Sequence, residues 1–244
     1  GQSTDLLSFA RAAKDGGAYL LSITNAPESP LAKLSNLHIS LHAGPELAVP
    51  ATKSYVGQLM VSYLLVMMWS NQKADIDSII KAAKENAADE NYQTFAKNIN
   101  LEKPIYVLGR GFSYPNAKEF ALKLQETSLI PVQGMSSSDF LHGPIASLNS
   151  QAQVVFISSQ HLPESSFGDA PERVRTVTGR VFWIGKPTQA SNNDLVLNTA
   201  LSSSELTASI TDAITFQKVT HHLATTNGLN PDSPEGLSKV TITR

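Results

Sequence analysis

Short apolar runs recur along this chain, each followed by a stretch with helical spacing. That alternation constrains the fold more than any other feature. Residues 18–24, 37–41, 105–108, 130–133, 154–158, 180–184 and 195–197 read as buried strands, bounded by Gly, Pro, Asn and Ser. Residues 5–15, 30–34, 52–69, 74–97, 115–128, 169–178 and 207–227 carry apolar positions three and four apart, which predicts helices. Strands alternating with helices predict an α/β protein, its parallel sheets flanked by helices. Residues 99–103 form the expected break, giving a first part at 1–99 and a second at 100–244. The second part reads as complete. The first opens directly on a turn and a helix, as though its N-terminus were truncated.

Local punctuation supports these elements. Ser3, Thr4 and Asp5 supply helix N-cap chemistry, and Gly16-Gly17 stops that helix. The apolar run 56–69 is interrupted by Gln58 and Ser62 and falls short of the ~20 apolar residues of a membrane span. It is expected to be a buried helix. The tail from 231 carries two prolines and then a short β-like end.

Composition excludes several functions. With 0 cysteines there is no disulfide, no thiolate nucleophile and no thiolate metal site. Lys and Arg number 19 against 21 Asp and Glu, so no basic balance points to nucleic acid. Residues 1–5 are polar and lack the apolar core of a signal peptide. His38, His42, His161, His221 and His222 show no metal-ligand spacing, so no metal and no cofactor is expected. The adjacent His221 and His222 read as structural.

Six places carry candidate chemistry, most with a plainer reading beside it. Gly1-Gln-Ser-Thr-Asp5 enters a helix: a phosphate site on free N–H groups, or a plain N-cap. Gly109-Arg-Gly111-Phe-Ser113 lies between strand and helix: a phosphate cradle, or a tight turn lacking the third glycine of the dinucleotide fingerprint. Glu46 precedes an apolar helix, where a surface charge is the plain reading. Lys123 and Glu126 share a helical face, as an ion pair or as a base with a cationic neighbour. His142 stands in a polar loop before Gly143-Pro144, and Lys239 in the tail.

Several stretches occur together and in order: Gly1-Gln-Ser-Thr-Asp5, Glu46-Leu-Ala-Val-Pro-Ala-Thr-Lys53, Leu108-Gly-Arg-Gly111, Ala121-Leu-Lys-Leu-Gln-Glu126, Phe140-Leu-His-Gly-Pro144 and Gly236-Leu-Ser-Lys239. The set resembles the sugar isomerase (SIS) family, in particular the double-SIS isomerase module of glucosamine-6-phosphate synthase and its stand-alone relatives. The tail from Asn230 resembles SIS-type glucosamine-6-phosphate deaminases. Three departures stand out: Asp139 where Glu is usual, Gln125 where Lys is common, and Pro50-Ala51 in place of small or hydroxyl residues.

The resemblance implies two flavodoxin-like SIS subdomains around a sugar-phosphate site. It implies Ser3 as a phosphate ligand, with Val49 and Thr52 lining the sugar pocket. Glu126 would be the enolisation base, assisted by Lys123. His142 would open the ring and come from the other subunit of a homodimer. Lys239 would form a Schiff base with a ketose, with Glu46 beside it. The expected activity is conversion of glucosamine 6-phosphate to fructose 6-phosphate and ammonia, in the cytoplasm, with no nucleic-acid or membrane partner. Two other readings stand beside it: the isomerase domain of a glutamine-dependent synthase, and a non-catalytic sugar-phosphate-binding regulatory module.

Overall fold

The computed structural model describes residues 1–159, 162–163 and 166–239. Its contacts divide the chain into two units. The first runs from Gly1 to Ala74 and takes in the described tail residues 235–239; the second is Asp75–Pro234. His161 and the expected β-like end at 240–244 lie outside the described residues.

The first unit contains α1 (Thr4–Asp15), β1 (Leu21–Thr24), α2 (Pro30–Leu34), β2 (Leu37–Ser40) and α3 (Lys53–Trp69). β1 and β2 pair in parallel, with Leu21 opposite Leu37 and Thr24 opposite Ser40. The crossover is α2, entered through Ser29, whose hydroxyl accepts from the Ala32 amide, and through Pro30 at the first helical position. Gly17 lies at φ 88°, a left-handed conformation that ends α1 without the steric cost a side chain would bring.

α3 corrects one expectation. It is a helix of mostly apolar residues, but it is not a buried one: only Tyr63 is fully buried. Val66 is 51% exposed, Met68 77% and Trp69 93%. A sheet of two strands offers too little surface to cover seventeen residues of helix, so hydropathy overstates burial here.

The second unit contains α4 (Ile76–Ala88), α5 (Asn91–Ala96), β3 (Ile105–Gly109), α6 (Ser113–Ser128), β4 (Val132–Ser136), α7 (Ser137–Leu141), a 3-10 turn at Pro144–Ser147, β5 (Gln153–Ser158), α8 (Ala170–Arg175), β6 (Val181–Gly185), β7 (Leu195–Asn198) and α9 (Glu205–Thr226). All five strands are parallel, in the order β4-β3-β5-β6-β7. That is the flavodoxin-like order, with the switch point between β3 and β5. β3, β5 and β6 are buried throughout, as strands covered on both faces must be. Across the β5–β6 pair Phe156 stacks on Trp183 with ring centroids 4.4 Å apart. Gly185 ends β6 at φ 122°, where an added Cβ would overlap the Ser158 carbonyl oxygen.

The structure differs from the sequence reading at four points here. The expected helix 74–97 is two helices, because Asp89 turns extended and its carboxylate caps Asn91 through the amide at 3.1 Å. Both helices pack against α9 of the second unit, so the division falls after Ala74 and not near residue 99. Asn86 ties them down, donating to the Thr211 carbonyl at 3.0 Å and accepting from the Ala200 amide at 2.6 Å. The strand expected at 130–133 starts later, at Val132, because Leu129 turns left-handed at φ 56° and Pro131 has no amide to donate. The polar run at 136–142 is a short helix, not a loop: Ser136 caps it by accepting from the Asp139 amide at 3.1 Å.

No helix among the described residues is long and apolar enough to cross a membrane. No group of three or more potential metal ligands is found among them either.

Candidate active site

In the first unit a cavity of about 530 Å³ opens beside the N-terminus of α1 and the C-terminal end of β1. Ser3, Asn25, Glu46, Ser54, Gln58 and Lys239 supply its principal polar groups. Ser3 occupies the N-cap position of α1, but its side chain makes no capping hydrogen bond. The plain N-cap reading therefore lacks its defining contact.

Glu46 sits on the loop between β2 and α3 and reaches the first turn of α3. Its Oε1 accepts from the Thr52 amide at 3.0 Å and the Ser54 amide at 3.1 Å. Its Oε2 accepts from the Ser54 hydroxyl at 2.6 Å and from Lys239 Nζ at 3.3 Å. Burial pushes the carboxyl up, but the Ser54 hydroxyl and amide, the Thr52 amide and Lys239 together outweigh it and hold Glu46 below the usual carboxylate range. Lys239 also donates to the Ala48 carbonyl at 2.7 Å and the Val49 carbonyl at 3.5 Å. Val49 and Thr52 thus enter this cluster through backbone groups. Asn25 fixes the start of the same loop, donating to the Gly44 carbonyl at 2.6 Å and accepting from the Ala43 amide at 3.0 Å.

Glu126 and Lys123 lie in the second unit, near the end of α6, and they form an ion pair. The lysine is not on the surface: its side chain is 4% exposed. A second carboxylate, Glu119, stands one turn earlier at 3.4 Å from the same ammonium. Burial pushes Glu119 up; Lys123 pulls it back, and Glu126 adds to the rise. A buried ammonium between two carboxylates gives this face one more acid than base, a setting suited to moving a proton. His142 is exposed at the C-terminal end of α7.

The Gly109-Arg-Gly111 loop lies at the switch point of the second sheet, where ligands of this fold class commonly bind. Here the chain's own Glu205 fills it. The Phe112 amide donates to Glu205 Oε1 at 2.8 Å, and a Cβ on Gly111 would strike the same oxygen. Phe112 is the N-cap of α6 and has no side-chain cap of its own, so Glu205, from the first turn of α9, caps α6 in its place. The carboxylate lies by two helix N-termini, both favouring negative charge. Glu205→Ala is expected to lower unfolding free energy by about 1–2 kcal/mol, the usual worth of a cap, read from urea unfolding. A change under a few tenths would remove the cap assignment.

Sequence reasoning missed Ser54, Asn25, Glu119 and Glu205. Glu119 had a local signal, one helical turn before Lys123. Glu205 had none, since its partner Phe112 lies far away in the chain.

The family model described as SIS domain matches residues 1–68 and 98–224. The isomerizing glutamine–fructose-6-phosphate aminotransferase of Thermococcus kodakarensis is 28% identical over 254 residues, covering 98% of this chain and 42% of that protein. The Gloeobacter violaceus protein of the same name is 31% identical, with 98% of this chain and 42% of that protein covered. The chain thus spans about two fifths of the length of these curated relatives. Among solved structures, the C-terminal domain of glucosamine-fructose-6-phosphate aminotransferase from Francisella tularensis superposes with a TM-score of 0.84 at 24% identity, covering 96% of this chain and 71% of that one. Glucosamine-6-phosphate deaminase from Thermotoga maritima gives 0.79 at 20% identity, with 100% and 73% covered. At these identities the two structures establish the fold alone.

Proposed function

The chain belongs to the SIS domain family, and from that premise we propose that it is a sugar-phosphate isomerase domain, interconverting the ketose and aldose forms of a hexose 6-phosphate. The relatives named above carry both "fructose-6-phosphate" and "isomerizing" in their names, which favours this reading over a free-standing deaminase. With 0 cysteines the chain has no thiolate to release nitrogen from glutamine, so we assign it the sugar half of such a reaction.

One observation carries the reading. The described tail brings Lys239 back onto Glu46, in a cavity also lined by Ser3. An amine held by a carboxylate beside a helix N-terminus suits a carbonyl compound with a phosphate at its far end. In this scheme Ser3 contacts the phosphate, and His142, donated from the second copy in a homodimer, opens the sugar ring. Glu126 carries the proton between C1 and C2, and Lys123 stabilises charge on the adjacent oxygen. Lys239 meets the ketose carbonyl, and Glu46 holds its amine in place. In this scheme side chains carry every acid–base and covalent step, so it assigns no role to a metal.

The test supplies fructose 6-phosphate with and without ammonium, and separately glucosamine 6-phosphate, and follows sugar and ammonia together. Aldose phosphate formed from fructose 6-phosphate supports the proposal. Stoichiometric ammonia and fructose 6-phosphate from glucosamine 6-phosphate would place the chain with the deaminases. A rise in melting temperature with no turnover would identify a binding module.

A further inference from the structure

Among the groups that hold Glu46, one residue contacts both of its carboxylate oxygens. Ser54 gives its amide to Oε1 at 3.1 Å and its hydroxyl to Oε2 at 2.6 Å. The Thr52 amide, at 3.0 Å from Oε1, anchors that oxygen further. With Oε1 anchored by amides alone, the carboxylate is free to pivot about it. The hydroxyl at Oε2 removes that freedom and leaves Oε2 turned toward Lys239 Nζ at 3.3 Å. Ser54 also lines the cavity, as do Glu46 and Lys239.

We infer that Ser54 is the positioning residue of the Glu46–Lys239 pair: its two-handed grip fixes the carboxylate plane, and the carboxylate fixes the amine at the cavity wall. Its kinetic consequences rest on the sugar-phosphate reading above; its effect on Glu46 does not. The Ser54 hydroxyl is also the largest of the influences that favour the ionised form of Glu46. Removing it lets Glu46 take up a proton at higher pH and slackens the acceptor that Lys239 depends on.

The experiment compares the parent chain with Ser54→Ala and Ser54→Thr. Carbon-13 NMR of glutamate-labelled protein, with the Glu46 signal assigned through Glu46→Gln, follows the titration of this carboxyl directly. Turnover of fructose 6-phosphate is measured across pH in parallel. Ser54→Ala is expected to move the Glu46 titration upward and to lower kcat about tenfold with little change in KM, as for the loss of one hydrogen bond to a charged group. Ser54→Thr, which keeps both donors, is expected to restore both. An unmoved Glu46 titration in Ser54→Ala overturns the inference, as does an equal loss in both variants. A shifted titration in a chain that turns over no sugar phosphate keeps the inference and sinks the isomerase reading.

Discussion

Glu126→Gln is expected to lower ketose–aldose interconversion by about 10²- to 10⁴-fold, the range for loss of a positioned general base. The amide keeps the size of the carboxylate and remains an acceptor for Lys123, so the fold has little reason to respond. Lys123 also retains Glu119 at 3.4 Å, which prevents the variant from leaving a buried ammonium unpaired. The loss is therefore expected in kcat, with an unchanged melting temperature. Glu119→Gln is the necessary companion, because that carboxylate meets the same ammonium and burial already pushes it toward its protonated form. If activity follows Glu119 and survives in Glu126→Gln, the base has been assigned to the wrong acid.

Asp212→Asn is expected to stabilise the second unit at pH 8. Asp212 lies in α9 and is 1% exposed, and neither oxygen has a hydrogen-bond partner of sound geometry among the described residues. Burial pushes its pKa from 3.8 to about 7, while proximity to the Thr199 hydroxyl and to Lys186 pulls the other way. The sign follows from linkage. Below about pH 4 both the folded and the unfolded states hold the proton, and the group costs nothing through ionisation. Between about pH 4 and 7 the unfolded state releases the proton while the folded state keeps it, so stability falls as pH rises. Above pH 7 the full cost is present, at most about 4 kcal/mol. Asparagine removes the ionisation. Melting curves from pH 4 to 8 should show the variant ahead at pH 8, by several degrees, with the gap closing toward pH 4. A variant less stable than the parent at pH 8 would show that the charged carboxylate is held favourably.

Strand and helix positions in the second unit were legible because β3, β5 and β6 are unbroken apolar runs between clear turn residues. α2 was read to the residue, since a Ser-Pro entry is both a cap and a first turn. α3 was legible as a helix but not in its burial, which depends on what lies against it rather than on its own hydropathy. The break between α4 and α5 hinges on one Asp side chain turning back on Asn91, and no periodicity reveals that. α7 was hidden because serine caps and serine loops look alike in sequence.

The site divides in the same way. The Lys123–Glu126 pair was visible as helical spacing. The Lys239–Glu46 contact spans almost the whole chain, and only the ordered set of motifs linked those two residues in advance. Ser54 was invisible because its role depends on the loop before α3 folding back on that helix. The glycine loop after β3 matched a phosphate cradle locally, but a carboxylate from α9 already fills it.

The central claim is proton transfer between C1 and C2 of a sugar phosphate, and solvent deuterium reports it without reference to nitrogen. Fructose 6-phosphate would be incubated with the protein in D₂O, and C1 of the ketose and C2 of the aldose formed from it followed by NMR. Deuterium entering at these carbons, and lost in Glu126→Gln, is the predicted result. Fructose 6-phosphate that binds, as shown by a raised melting temperature, yet takes up no deuterium and forms no aldose would contradict the account.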